Sequence, residues 1–326
     1  MSKIIYEIMH RENCVAQIST VGECKIYLED FMPYDLMLEE SNDFDKRIKN
    51  AMSFYSWCAS RMIPPDRTYA KEILNSIGAS QSVTDRERAQ IALSYHCLSL
   101  LDVFWVKEEN EKIRFEDINL FAHSLSNALV DIALRGHQMT VTNAHLLAND
   151  LSTGGLYPKA WVRKEDGFYL YKDGGRDAVE REVLASKICR CFDCHQVLYE
   201  QGMFENEPVS ISKIMTSQRY SLVTYAAYDV YCTNHDWNTL DKILELDAPS
   251  YYMMNILDYL VGNTDRHWEN WGLLVDNETN QPIRLHDLMD FNRAFQQYDT
   301  PEGANCLTVG KRHLSQKDAA VEAVRN

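Results

Sequence analysis

Three polar residues towards the C-terminal end of the chain have the types and the spacing that phosphoryl transfer requires. Asp265 follows an apolar, helix-like run, and Asn270 lies five residues after it. Asp290 comes after two short apolar segments that predict a β-hairpin. In phosphoryl transfer, one carboxylate accepts the proton of the attacking hydroxyl, while an amide and a second carboxylate hold the Mg²⁺ that neutralises the nucleotide phosphates. This order predicts Asp265 as the catalytic base, with Asn270 and Asp290 as metal ligands.

The Asp-x-x-x-x-Asn spacing also occurs in ordinary charged surface loops, so the residues around it decide between the two interpretations. The spacing matches the catalytic loop of protein kinases, and Asp290-Phe291-Asn292 stands where such kinases carry Asp-Phe-Gly. Asp258 is an alternative base, but it lies within the predicted helix Tyr251–Leu260. The catalytic interpretation is therefore favoured, with Asp265 as the base.

The run from 262 to 272, GNTDRHWENWG, resembles the catalytic loop of the HipA-like serine/threonine kinases. The resemblance implies a two-lobed, protein-kinase-like α+β fold with ATP and Mg²⁺ as cofactors. In this family the metal-binding Asp precedes an aromatic or small residue, which favours Asp290 over Asp287. The resemblance also implies that His267 either contacts the nucleotide or shapes the loop.

A second motif, STGGLYPKA at 152–160, precedes this run. Two glycines allow a backbone to approach a phosphate closely, although a Gly-Gly pair is more often a plain turn. The motif is not a Walker A sequence, but it resembles the S-x-G-G-x-x-P-K-A phosphate loop of the HipA-like kinases. The resemblance implies that Gly154, Gly155 and Lys159 contact the ATP phosphates. It also implies that Ser152 is a site of autophosphorylation, with Thr153 as the alternative.

A lysine and a glutamate follow the phosphate loop in the order expected for a kinase. A predicted hairpin ends at Lys172, where the side chain would reach the nucleotide phosphates. A predicted helix, Ala178–Cys191, follows with Glu180 and Glu182 on different faces, and the resemblance implies that Glu182 is the partner of Lys172. For an isolated lysine, a solvated strand end would be the simpler interpretation. Here the order of glycine loop, hairpin, lysine and helix favours ATP binding.

The predicted hinge follows a strand at Pro208–Met215. A polar break there leads into a second apolar segment, and in a two-lobed kinase backbone groups at this point meet the adenine edge. The resemblance therefore implies nucleotide contacts from Met215, Thr216 and Ser217.

Composition limits the classes of function. The chain of 326 residues carries a net charge of −15, which argues against direct nucleic-acid binding as its main activity. No apolar run is long enough for a membrane span, and the first residues lack the features of a signal peptide. The nine cysteines follow no regular framework, so we expect reduced thiols and a cytoplasmic location.

The cysteines around residue 190 allow one alternative site. The spacing of Cys189, Cys191, Cys194 and His195 could be a zinc site, but it lacks the second ligand pair that such sites usually have.

The polar break at 148–155 divides the chain into two predicted domains. Residues 1–148 form a mixed appendage, with short strands near its start and helices predicted at Asp45–Arg61, Thr84–Leu101 and Phe115–Ala133. Residues 149–326 form the kinase core, with an N-lobe over about 149–217 and a C-lobe over about 218–326. Only 36 residues follow Asp290, so the second lobe is either short or completed by the N-terminal portion.

These features predict an ATP- and Mg²⁺-dependent serine/threonine protein kinase of the toxin type. Its partners would be a protein substrate and an antitoxin-like protein. A small-molecule or lipid kinase on the same fold is one alternative, since the motifs specify the transfer and not the acceptor. A non-catalytic toxin–antitoxin binding module is another, but it would need none of Asp265, Asn270 and Asp290.

Overall fold

The structure is a computed structural model that describes residues 3–62, 84–123, 159–204, 206–295, 304–309 and 312–326. Helices and β-sheets both contribute, as the predicted α+β class requires. The chain divides into two compact units. The first comprises Met1–Ala160 with Thr216–Gln218, and the second comprises Trp161–Met215 with Arg219–Asn326.

The first unit is built on a four-stranded antiparallel sheet in the order β3-β2-β1-β4. Its strands are β1 (Ile5–His10), β2 (Asn13–Ser19), β3 (Cys24–Ile26) and β4 (Phe104–Glu108). Residues such as Ile8, Val15 and Trp105 are buried in its core. Helix α1 (Phe44–Ser60) confirms the helix predicted at 45–61, and Asp43 caps its first turn.

The other two predicted helices of this unit are shorter than expected. Helix α2 (Asp85–Ser94) has the predicted capping box, but it ends seven residues before Leu101. His96 and Cys97 take left-handed backbone angles, and the chain turns there towards β4. Leu98 and Leu100 are buried in the irregular segment that follows, so their apolar character, read as helical spacing, reflects burial outside a helix. Helix α3 covers only Phe115–Ile118, and most of its predicted continuation to Ala133 lies outside the described residues.

The second unit contains a four-stranded sheet in the order β5-β6-β8-β7. Its strands are β5 (Lys159–Lys164), β6 (Gly167–Lys172), β7 (Tyr199–Phe204) and β8 (Glu207–Lys213). Helix α4 (Arg176–Cys189) packs against β7 and β8. The predicted hairpin and the helix after it are therefore present, with the helix starting two residues earlier than expected.

A three-stranded sheet, in the order β11-β10-β9, lies beside the helices of the rest of this unit. Its strands are β9 (Tyr220–Thr224), β10 (Gly272–Asp276) and β11 (Gln281–Leu285). A Cβ atom at Gly272 would lie 2.1 Å from the carbonyl oxygen of Val223, so only glycine allows β10 to approach β9 here.

Two helices precede the predicted catalytic loop. Helix α5 is Tyr225–Asn234, and α6 is Thr239–Leu260, so the predicted helix Tyr251–Leu260 is only the second half of a longer one. Asp247 has non-helical angles and kinks α6, while its carboxylate accepts from the amide of Ser250. The first half of α6 was not predicted from the sequence, because it is polar and because the kink interrupts the helical pattern.

The C-terminal residues belong to the second unit. Helix α7 (Gln316–Arg325) packs along α6 and buries three alanines, Ala319, Ala320 and Ala323. The residues after Asp290 therefore supply part of the second unit themselves. Within the described part of the chain, no helix is long and apolar enough to cross a membrane.

Candidate active site

A buried cluster of three charges lies where β6 ends. Lys172 is 5% exposed, and its ammonium donates to the carboxylate of Glu182 on α4 at 2.6 Å. It also donates to Oδ1 of Asp290 at 2.9 Å. The other oxygen of Glu182 accepts from the hydroxyl of Ser210 on β8. The structure thus brings together three of the predicted site residues, although Asp290 lies 118 residues after Lys172 in the sequence.

The charge balance of this cluster is uneven. Burial alone would lower the pKa of Lys172, but the carboxylates of Asp290 and Glu182 outweigh burial and hold that pKa well above its ordinary value. Lys172 is therefore a permanent cation, and it shares its charge between two acidic groups. One negative charge is left over, which favours the arrival of a further cation at the exposed side of the cluster.

Asp290 is held in an unusual backbone conformation. Its φ is 60°, in the left-handed region that few non-glycine residues occupy. Its amide donates to the hydroxyl of Tyr199 at 3.1 Å, and the neighbouring Phe291 is fully buried. Strained backbone of this kind is concentrated at functional sites, where the surrounding packing must enforce it.

Tyr199 was not identified from the sequence. It lies at the start of β7, 91 residues before its partner Asp290. Burial raises the pKa of Tyr199 well above its ordinary value, and the carboxylate of Glu182 adds to this effect. The phenol therefore stays neutral. The Lys172 ammonium also lies 5.7 Å from the centre of the Tyr199 ring. A buried tyrosine in a strand has no sequence signal that distinguishes this role from simple packing.

A buried ion pair holds the loop that follows α6. Arg266 donates to both oxygens of Asp258, each at 2.9 Å, and both side chains are almost fully buried. Burial would lower the pKa of Arg266, but Asp258 raises it above its ordinary value. Arg266 also donates to the carbonyl oxygens of Asn270 and Met289. Asp258, the alternative base, is thus fully engaged in structure.

The same loop presents Asp265 and Asn270. The Asn270 amide donates to the carbonyl oxygen of Asp265 at 2.7 Å. The carboxylate of Asp265 is about a quarter exposed, and Arg293 lies 3.5 Å from it. His267 donates its backbone amide to the Asp265 carbonyl, and its Nδ1 accepts from the amide of Glu269. These bonds support the loop-shaping role for His267.

The donor set of the predicted metal site fits Mg²⁺. Asn270 uses its amide nitrogen on Asp265, which directs its amide oxygen away from that carbonyl. That oxygen and the carboxylate of Asp290 are hard ligands, and Mg²⁺ commonly takes one or two protein oxygens and completes its shell with phosphates and water. In the described ranges, no three His, Cys, Asp or Glu side chains are grouped so as to hold a metal, and this includes the cysteines near residue 190. Asp287, the alternative metal ligand, forms an ion pair with Arg284, whose Nη2 lies 2.8 Å from Oδ1 of Asp287.

The remaining predicted residues lie elsewhere. Ser152, Gly154 and Gly155 fall outside the described residues. Lys159 is half-buried at the start of β5 and is assigned to the first unit. The predicted hinge is divided: Met215 belongs to the second unit, whereas Thr216 and Ser217 belong to the first.

The hinge residues of the first unit have definite contacts there. Thr216 is buried and donates to the carbonyl oxygen of Leu100. Its neighbour Gln218 donates to Asn119 at 3.4 Å, and Arg11 donates to the Gln218 carbonyl. The predicted role of this segment in binding adenine stays a prediction.

The similarity of this chain to known proteins is confined to solved structures. No family model and no curated protein matches it. Among solved structures, it is similar to the Helicobacter pylori proinflammatory kinase CtkA, with a TM-score of 0.38 and 19% identity over 45% of this chain and 58% of the CtkA chain. It thus spans less than two thirds of the CtkA chain. It is also similar to a chain of the Shewanella oneidensis MR-1 toxin–antitoxin complex of HipA, HipB and operator DNA, with a TM-score of 0.48 and 12% identity over 87% of this chain and 76% of that one. The solved structures similar to this chain thus include a kinase and a HipA toxin–antitoxin complex.

Proposed function

We propose that the chain is an ATP- and Mg²⁺-dependent kinase that phosphorylates serine or threonine in a protein. One observation carries the proposal: the buried Lys172 ammonium joins Glu182 on α4 to Asp290 after β11. This is the lysine–glutamate pair with a metal-binding aspartate that kinases require for phosphate binding. The Asp265–Asn270 loop belongs to the same unit and supplies a base and a second metal ligand.

Each residue has a separate task in the proposed reaction. Lys172 binds phosphate oxygens of ATP, and Asn270 and Asp290 hold the Mg²⁺ that neutralises their charge. Asp265 orients the acceptor hydroxyl and takes its proton. The new bond joins the hydroxyl oxygen to the γ-phosphorus, the bond from that phosphorus to the β-phosphate oxygen breaks, and ADP leaves. Arg293, beside Asp265, would hold this carboxylate in place until the acceptor arrives.

Lys172 and Asp290 would serve the bound nucleotide in different ways: the lysine would bind phosphate oxygens, and the aspartate would hold Mg²⁺. Glu182 orients Lys172 for this task, because its other oxygen accepts from the hydroxyl of Ser210.

The acceptor and the partners are proposed from the sequence resemblance. It supports a protein acceptor, autophosphorylation at Ser152, an antitoxin-like partner and a cytoplasmic location. A small-molecule or lipid kinase would use the same site residues, so the acceptor has to be identified by experiment.

The proposal is tested by incubating the protein with Mg-ATP and measuring its intact mass, with a peptide panel and a lipid panel present in parallel reactions. We expect one phosphoryl group per modified hydroxyl, on the protein or on a Ser/Thr peptide, and none without Mg²⁺. Asp265→Asn is the control that should transfer nothing. Transfer to lipid alone would support the alternative acceptor, and no transfer to any acceptor would contradict the proposal.

A further inference from the structure

The C-terminal helix reaches the catalytic loop through one side chain. Gln316 is the first residue of α7, is 5% exposed and donates its side-chain amide to the carbonyl oxygen of Asn263. Its own backbone amide donates to the carbonyl of Ala304 at 2.7 Å, which fixes the start of the helix. The loop that carries Asp265 is thus held by a residue 53 positions away in the sequence.

Asn263 connects this contact to the proposed base. It is completely buried, and its side-chain oxygen accepts from the amide of Asp265 at 3.3 Å. Its side-chain nitrogen donates to Asp258 at 2.9 Å, and its backbone amide donates to the Asp258 carbonyl at 2.8 Å. The remaining polar group of Asn263 is its backbone carbonyl oxygen, which accepts the hydrogen bond from Gln316. Displacement of Asn263 would therefore shift the start of the segment that carries Asp265.

Helix packing alone does not account for an amide at position 316. The oxygen of the Gln316 side chain is buried and has no hydrogen-bond partner within the described residues, which costs free energy. An apolar side chain would bury similar surface against α6 without that cost. The packing of α7 is already provided by Ala319, Ala320 and Ala323. What glutamine adds is a donor for the Asn263 carbonyl.

We propose that Gln316 is a positioning residue of the active site, through which one side chain of the C-terminal helix supports the catalytic loop. The proposal rests on the proposed kinase function. Gln316 does not touch ATP or the acceptor; it fixes Asn263, which in turn fixes the backbone of Asp265. Lys172 and Asp290 bind the nucleotide through separate elements. Loss of Gln316 should therefore slow the chemical step and leave ATP affinity nearly unchanged.

The expected effect is large because the base must be placed accurately. A misplacement of about 1 Å can cost on the order of 100-fold in rate. Gln316→Leu keeps the size of the side chain and removes the donor. Gln316→Glu keeps the shape and places an acceptor against the Asn263 carbonyl. We expect both variants to transfer phosphate roughly 10- to 100-fold more slowly in single turnover, with the Kd for Mg-ATP within about twofold of wild type.

A neighbouring residue provides the matched control. Ser315 caps α7 by accepting from the Asp318 amide at 3.0 Å, and within the described part of the chain its side chain does not bond to Asn263. Ser315→Ala should lower the melting temperature by weakening the helix start, while the transfer rate stays near wild type. If α7 had a purely structural role, the transfer rate would fall in proportion to the loss of stability in the Gln316 variants and in Ser315→Ala alike.

Amide hydrogen exchange gives a readout that does not depend on catalysis. Exchange at Asp265, whose amide donates to Asn263, should accelerate in Gln316→Leu and stay unchanged in Ser315→Ala. A wild-type rate in Gln316→Leu, or an equal loss of rate in Ser315→Ala, would overturn the proposal. If the wild type transfers no phosphate, the proposed function fails, and unchanged exchange at Asp265 in Gln316→Leu would still overturn the positioning role. If Gln316→Leu does not fold, Gln316→Glu provides the same comparison.

Discussion

At the scale of single residues, the central feature is one buried ammonium shared by two carboxylates. Lys172 neutralises only one of the charges of Glu182 and Asp290. Removal of one partner from a buried ion pair typically costs more than the pair itself contributes, because the remaining charge is left without compensation. The lysine therefore stabilises the fold as well as binding phosphate, and the two effects can be separated by a pair of variants.

Lys172→Met should destabilise the second unit by roughly 3 kcal/mol and abolish Mg-ATP binding, because the buried Glu182 would be left without a counter-charge beside the partly exposed Asp290. The double variant with Glu182→Gln should recover much of the stability and none of the binding. Urea unfolding and calorimetry measure the two quantities. Intact ATP affinity in the double variant would contradict the assignment of Lys172.

Tyr199→Phe tests the support of Asp290. The ring stays and only the hydroxyl is lost, so the Asp290 amide loses its acceptor in the left-handed conformation. We expect a loss of about 1 kcal/mol in stability and a several-fold weaker affinity for Mg-ATP. Tyr169→Phe, on an exposed strand position with its hydroxyl on Asp166, is the control that should bind normally. Equal affinities in both variants would argue that Tyr199 only packs.

At the scale of elements, a buried ion pair holds the loop that carries the proposed base. The loop from 261 to 270 connects the end of α6 to the start of β10. Arg266 in this loop bonds to Asp258 on α6 and to the carbonyl oxygen of Asn270 just before β10. Its partner Asp258 lies within α6, so this pair joins the loop to the helix. Because this pair is buried, removal of one partner should cost far more stability than removal of a partner from an exposed ion pair on the surface.

Asp258→Asn should therefore be strongly destabilising, by about 3 to 5 kcal/mol, since it leaves the Arg266 guanidinium buried without a counter-charge. Glu322→Gln removes the partner of the exposed Arg312 and should change stability little. Chemical unfolding of the two variants at one ionic strength gives the comparison. A small effect of Asp258→Asn would show that the loop is not held by this pair.

The sequence predicted the parts of these elements that depend on local pattern. The hairpin before Lys172, the helix with Glu182 and the hairpin before Asp290 follow from apolar alternation and turn residues, and the structure contains all of them. The end of α2 and the start of α6 were predicted wrongly, because left-handed residues and a kink at Asp247 break the helical pattern. Tyr199 and Gln316 were not found, since their roles exist only after distant segments meet.

At the scale of the whole molecule, both units contain buried neutral histidines. Burial lowers the pKa of His10 to about 4, and burial also lowers the pKa of His286 to about 4. A histidine whose folded pKa lies below its ordinary value of about 6.5 contributes stability above pH 6.5, and this stability is lost as the pH falls towards 4. Both units should therefore weaken in mild acid.

The free energy of unfolding should fall between pH 6.5 and pH 4.5, by about 2 kcal/mol for each histidine. His10 packs edge-on against Phe31 and Phe104, so His10→Phe should keep this packing and remove part of the pH dependence. Unfolding curves of both proteins at several pH values provide the measurement. His313→Phe, at an exposed position, is the control. An unchanged pH profile in His10→Phe would show that His10 is not the titrating group.

The most direct test of the proposed kinase function is single-turnover transfer from labelled Mg-ATP by the wild type and by Asp265→Asn, with the nucleotide affinity of both measured by calorimetry. A base acts on the transition state more than on ground-state binding, so Asp265→Asn should lose transfer by at least about 100-fold and bind Mg-ATP with nearly wild-type affinity. Transfer by Asp265→Asn at the wild-type rate would contradict the assignment of the catalytic base.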